Sequence, residues 1–132
     1  MSRVALLYVD DDDDIRAIAE LALGLDPTLD VRTAPGGAAA LALLDGGAGW
    51  RPDVALLDVM MPEMGGVELA RHLRTRPGLG RLPIIFMTAR ARAGDISEYT
   101  AIGQSAMIAK PFDPMTLAAT VRERLRGIHA RG

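Results

Sequence analysis

Short apolar runs, each separated from the next by a stretch of helical spacing, constrain this chain more than any other feature. Four are near-continuous: Val4–Val9, Val54–Leu57, Pro83–Met87 and Ala106–Ala109. A weaker run, Val31–Ala34, lies between the first two. Apolar runs of this length without polar alternation fit strands buried on both faces, and therefore a parallel sheet. Between them, Ile15, Ile18, Ala19 and Ala22 recur at i, i+3, i+4 and i+7. Val67, Ala70 and Leu73 mark another helix, Leu41 and Leu44 belong to an alanine-rich one, and Leu117, Val121 and Leu125 recur in steps of four. Asp95–Ile102 is the weakest helical stretch, with few apolar anchors, and is expected to be the most mobile. Gly24 with Pro27, Gly46–Gly49 with Pro52, Pro77 with Gly78 and Gly80, and then Gly103 punctuate the helices. The pattern βαβαβαβαβα predicts a doubly wound α/β fold with right-handed crossovers.

A chain of 132 residues is expected to form one domain, spanning 1–132 with its core at about 3–126. Its net charge of −2 gives no general attraction for nucleic acid or an anionic membrane. Arg122, Arg124 and Arg126 form a local basic stretch, interrupted by Glu123, where a helix is expected to end and cations suit its dipole. With no cysteine, disulfides, thiolate catalysis and zinc–thiolate sites are excluded. The first apolar run stops at Asp10, too early for a signal peptide, and no run approaches membrane-spanning length, so a cytoplasmic protein is expected.

Ligands of open parallel sheets bind beyond the carboxyl ends of the strands. The residues there are Asp10 and Asp11 after the first run, Asp58 after the third, Thr88 after the fourth and Lys110 after the fifth. Three carboxylates, a hydroxyl and an ammonium are thus expected to converge on one edge. Clustered carboxylates repel, so a hard cation should sit among them. Mg²⁺ suits oxygen ligands of this kind. A carboxylate beside such an ion can attack phosphorus and form an aspartyl-phosphate, with the ammonium and hydroxyl stabilising the phosphoryl oxygens. Asp58, alone at its strand end, is the expected nucleophile, and Asp10 with Asp11 the metal pair. Asp12, Asp13 and Asp14 are expected instead to begin the first helix, where carboxylates cap free N–H groups.

The segments LYVDD (Leu7–Asp11), LLDVMMPEMGG (Leu56–Gly66), FMTA (Phe86–Ala89) and AKPF (Ala109–Phe112) resemble the receiver domains of bacterial two-component response regulators, including the chemotaxis type. The resemblance runs from Val4 to about Leu125. It implies a flavodoxin-like (βα)5 domain with a five-stranded sheet in the order 2-1-3-4-5. It also implies that Asp58 accepts a phosphoryl group from a phosphohistidine of a sensor histidine kinase or histidine phosphotransfer protein. By the same resemblance, Asp10, Asp11, Asp58 and the Met60 backbone carbonyl would hold Mg²⁺, Thr88 would hydrogen-bond the phosphoryl oxygen, and Lys110 would pair with it or with Asp58. The Lys110–Pro111 peptide would be cis. The resemblance thus implies a signalling switch, and no direct contact with nucleic acid or membrane is expected.

The chain departs from that pattern in places. Met107 stands where the family often carries an aromatic switch residue, and a flexible methionine offers neither a hydroxyl nor a flat ring. Met60 and Arg90 occupy positions that tune dephosphorylation, and an apolar Met60 predicts a longer-lived phosphoryl state. Met60, Met61, Met64, Met87 and Met107 gather near the site edge, as ordinary packing or as an adaptable docking surface. His72 lacks the acidic neighbour of a kinase phosphoacceptor and reads as a surface residue; His129 has no assigned chemistry, and Trp50 reads as packing at the opposite sheet end. Two alternatives remain: a docking module that is never phosphorylated, and an Mg²⁺-dependent phosphohydrolase, which would want a second aspartate where Met60 stands. The P-loop motif is absent. No DNA-binding, kinase or cyclase segment follows Arg126, so either a stand-alone receiver or a piece of a longer protein is expected. Switching is expected around the fourth helix, fifth strand and fifth helix. There Ser105, Ala106, Thr116 and Thr120 replace the charges of one large class of receiver dimers.

Overall fold

The computed structural model describes residues 3–47, 49–89, 99 and 101–131. Strands β1 (Val4–Val9), β2 (Leu29–Ala34), β3 (Val54–Asp58), β4 (Ile84–Thr88) and β5 (Ser105–Ala109) form one parallel sheet in the order β2-β1-β3-β4-β5. The described helices are α1 (Asp13–Gly24), α2 (Gly37–Asp45), α3 (Gly66–Leu73) and α4 (Leu117–Arg131). Arg90 and most of the expected helical stretch at Asp95–Ile102 lie outside the described residues. The apolar runs mark strand interiors, and the backbone ladder carries β3 onto Asp58 and β4 onto Thr88.

Alternation along each strand divides the core between the two faces of the sheet. Leu7, Val9, Leu57, Ile84 and Phe86 pack with Ala40, Leu44, Leu69 and Leu73 of α2 and α3. Leu6, Tyr8, Leu56, Ile85 and Met87 pack with Ala19, Leu23, Val121 and Ile128 of α1 and α4. Burial on both faces is why these strands read as unbroken apolar runs.

Two expectations are corrected. The buried face of α1 is Ala19, Ala22 and Leu23, whereas Ile18 is 45% exposed. The same i, i+3, i+4 spacing fits both faces, and small alanines let the helix lie closer to the sheet. The second correction concerns the arginines near the C-terminus. The helix does not end there but runs on to Arg131 and buries Ile128. Arg122 pairs with Asp26 at 2.6 Å, and Arg124 Nε donates to the Met107 carbonyl at 2.9 Å. Arg131 Nη2 donates to the Ser105 carbonyl at 2.6 Å. These side chains bind neighbouring elements rather than complement a helix end.

Arg74, just past α3, ties the far side together. Its guanidinium donates to the carbonyls of Leu82 (2.9 Å), Ile102 (2.6 Å) and Gly103 (2.7 Å), joining the turns that lead into β4 and β5. Burial pulls its pKa below the usual arginine range.

Candidate functional site

Sheet register brings the strand-end residues level with one another. Val9 lies opposite Leu57, which sets Asp10 beside Asp58 on the adjacent central strands. Asp58 lies opposite Met87, with Thr88 one residue further along, and Thr88 lies opposite Ala109, with Lys110 one further again. The Lys110 N–H donates to the Thr88 carbonyl at 2.9 Å and so continues the ladder. Strands stand about 4.8 Å apart, so a group on β5 must cross β4 to reach β3. The long lysine side chain does so. Lys110 Nζ lies 3.2 Å from Asp10 Oδ2 and 3.3 Å from Asp58 Oδ2. The Lys110–Pro111 peptide is cis.

Asp10 is wholly buried, Asp58 is 6% exposed, and Asp11 is exposed beside them. Each offers a carboxylate oxygen, and the three atoms lie within 4.8 Å of one another. Oxygen-only donors, of which two are buried and negatively charged, fit a hard divalent cation. Burial pushes the Asp58 carboxyl up to about 6; Lys110 opposes this, Asp10 adds to it, and the Met60 backbone N–H opposes it again by hydrogen bonding the carboxylate. Burial pulls the Lys110 pKa down, but the charges of Asp10 and Asp58 and their hydrogen bonds outweigh it, so the ammonium titrates above its usual range.

The remaining aspartates of the opening run have a separate task. Asp12 is the N-cap of α1, its Oδ1 accepting from the Asp14 and Ile15 N–H groups at 2.9 and 3.0 Å. Asp13 and Asp14 fill the first helical turn. Of the methionines near the edge, Met87 is core on the α1/α4 face of the sheet, while Met61, Met64 and Met107 are partly buried against the core of the opposite face. Met60 is 81% exposed. His72 is exposed on α3. The Trp50 ring lies under Arg32 and its Nε1 donates to Asp30, as a packing residue would.

Two contributors are missing from the sequence reading. Tyr8 is fully buried and its phenol donates to Asp10 Oδ2 at 3.1 Å. Burial raises its pKa, and Asp10 raises it further. The available signal was parity, since residues two apart on a strand point the same way. Gly66, the first residue of α3, lies so close to the Asp58 backbone that an added Cβ would fall 2.5 Å from its carbonyl oxygen. Two adjacent glycines were the only sequence sign of that approach.

Comparison with known proteins places the chain by family and fold. The profile of the response regulator receiver domain matches residues 6–122. The transcriptional regulatory protein CseB of Streptomyces coelicolor is 38% identical, over 96% of this chain and 52% of that protein. The DNA-binding response regulator MtrA of Mycolicibacterium smegmatis is 34% identical, over 94% of this chain and 51% of its own length. This chain therefore spans about half the length of the curated relatives it matches. Among solved structures, the Vibrio cholerae chemotaxis protein CheY4 superposes with a TM-score of 0.83 at 32% identity, covering 94% of this chain and 100% of that one.

Proposed function

This chain belongs to the response regulator receiver domains of two-component systems, and from that premise we propose that Asp58 accepts a phosphoryl group from a phosphohistidine of a sensor histidine kinase or histidine phosphotransfer protein. The observation that carries the reading is Lys110, which crosses from β5 to stand between Asp10 and Asp58 with Asp11 in reach of the same point. An Asp58 oxygen attacks phosphorus while the P–N bond to the donor imidazole breaks. The electron pair returns to that nitrogen, which takes a proton from solvent. Lys110 then pairs with the phosphoryl oxygens and Thr88, at the end of β4, donates to one of them. Asp10, Asp11, Asp58 and the Met60 carbonyl would hold Mg²⁺, which supplies positive charge against the crowded oxygens. Movement of Thr88, followed by Met107, would carry the change to β5 and α4. The domain extends over 1–132, and any output segment and partner belong to the whole protein. No helix among the described residues is long and apolar enough to cross a membrane, and a place beside cytoplasmic kinases fits the reading.

Intact mass after incubation with acetyl phosphate tests this directly. One added phosphoryl group is expected with Mg²⁺ and none when the ion is chelated. No adduct, under conditions that label another receiver, would overturn the proposal in favour of an unphosphorylated docking module.

The exposed Met60 side chain offers no hydrogen bond to an attacking water, and it tunes the phosphoryl lifetime together with Arg90. Met60→Asn is expected to shorten that lifetime several-fold, followed as loss of the phosphorylated mass with time. Because the side chain is solvent-facing, the substitution leaves the fold intact. An unchanged lifetime would remove Met60 from the tuning role.

A further inference from the structure

The geometry points to Tyr8 as a positioning residue for the cation site, acting by fixing the Asp10 carboxylate through its phenol. The inference rests on the reading of Asp10 as part of an Mg²⁺ site. A carboxylate oxygen accepts about two hydrogen bonds. Asp10 Oδ2 receives both, from the Tyr8 phenol at 3.1 Å and from Lys110 Nζ at 3.2 Å. Asp10 Oδ1 receives the Asp12 N–H at 3.0 Å and keeps one lone pair. The protein has therefore turned Asp10 so that a single direction on Oδ1 remains for an ion or its bound water.

A simpler account is that a buried phenol needs some acceptor and finds Asp10. Packing argues against it. Tyr8 lies among Leu6, Leu56 and Met87 on a face where a phenylalanine would fill the same space without the cost of burying a hydroxyl. The hydroxyl instead reaches the one fully buried carboxylate of the chain's described core and shares its oxygen with the lysine of the site. Tyr8 is also better suited than Lys110 to hold Asp10 continuously. Its ring is locked in the core, whereas the ammonium is divided between two carboxylates. Partners of this kind, which orient a ligand, commonly change metal affinity about 10–100-fold when removed.

The test is calorimetric titration of the full chain with Mg²⁺, for the parent, Tyr8→Phe, Asp10→Asn and the double variant. Tyr8→Phe is expected to weaken binding about tenfold. The same change in the Asp10→Asn background should weaken it no further, because the phenol acts only through that carboxylate. An affinity in Tyr8→Phe within twofold of the parent would overturn the proposal, as would an equal loss in both backgrounds. No Mg²⁺ binding by the parent would overturn the cation site itself and this inference with it. A second readout needs no change at Tyr8. With Tyr99→Phe leaving Tyr8 as the sole tyrosine, Mg²⁺ should perturb the near-ultraviolet absorption of the phenol, and Asp10→Asn should abolish that perturbation. A silent phenol in a protein that binds Mg²⁺ would count against the proposal.

Discussion

Gly66→Ala is expected to destabilise the fold by about 2–3 kcal/mol and to cost the protein most of its phosphoryl acceptance. The Cβ of alanine would lie 2.5 Å from the Asp58 carbonyl oxygen and 3.1 Å from both the Asp58 carbonyl carbon and the Val59 Cα. All three atoms are backbone, so nothing at the contact can rotate aside. The strand end must move away from α3, and the residue that moves is Asp58, the proposed acceptor. The Gly66 N–H also donates to the Val59 carbonyl at 3.0 Å, so separating the two segments loses that bond as well. Space, not backbone freedom, is what this glycine provides, because its φ is not positive. Gly37 is the contrast. There an added Cβ meets only the Met64 side chain, a flexible thioether rather than backbone. Urea unfolding and acetyl phosphate labelling of both variants check the account. Equal stability and equal labelling for Gly66→Ala and the parent would refute it.

Asp58→Asn is expected to abolish phosphoryl acceptance while making the metal-free protein more stable near neutral pH, by on the order of 2–3 kcal/mol. The carboxyl titrates near 6 in the folded protein, against 3.8 for an unperturbed aspartate. A raised pKa means that the folded state holds the proton more tightly than the unfolded chain. The stabilisation is therefore fully present below about pH 4 and is lost as pH rises through about 6, above which the buried charge weighs against folding. Asparagine resembles the protonated carboxyl at every pH, so parent and variant should coincide in acid and diverge between those limits. Asp26 acts in a different window. Its hydrogen bonds from Thr28 and Arg122 hold its carboxyl down at about 2, so its contribution is present above the ordinary carboxylate range and is lost only on stronger acidification. Thermal unfolding of both proteins across pH in a chelating buffer checks the sign. A variant no more stable than the parent at pH 7 would show that Asp58 is not a strained charge. Added Mg²⁺ should then close the gap by stabilising the parent more.

Particular residues show how far the sequence carries. The strands and the line of Asp10, Asp58, Thr88 and Lys110 were legible because burial on both faces leaves apolar runs that stop abruptly at the first polar residue. The cap at Asp12 was legible because a carboxylate before a helix has few other uses. The buried side of α1 was not, since Ile18 and Leu23 satisfy the same period and only the sheet decides between them. The role of Tyr8 was hidden because its ring packs as any aromatic would, and one oxygen atom makes the difference. The closeness of Gly66 to Asp58 is a backbone-to-backbone contact and leaves no side-chain signature. The arginines of α4 misled because their partners, Asp26 and the carbonyls of β5, are distant in the chain.

Those arginines bear on how the molecule meets its own kind. β5 is the last strand of the sheet, with β4 on one side only. The carbonyls of Ser105 and Met107, two residues apart, face away from β4, and Arg131 and Arg124 already occupy them. An open strand edge is a template onto which another chain can add, and in crowded solution it seeds aggregation. Here an incoming strand would first have to displace two guanidinium groups, each a donor that leaves the carbonyl less to offer. Backbone pairing at these two positions of the β5 edge is thereby opposed. Association on that border is thereby biased toward side-chain contacts, which substitution can retune while the two guanidinium groups stay in place.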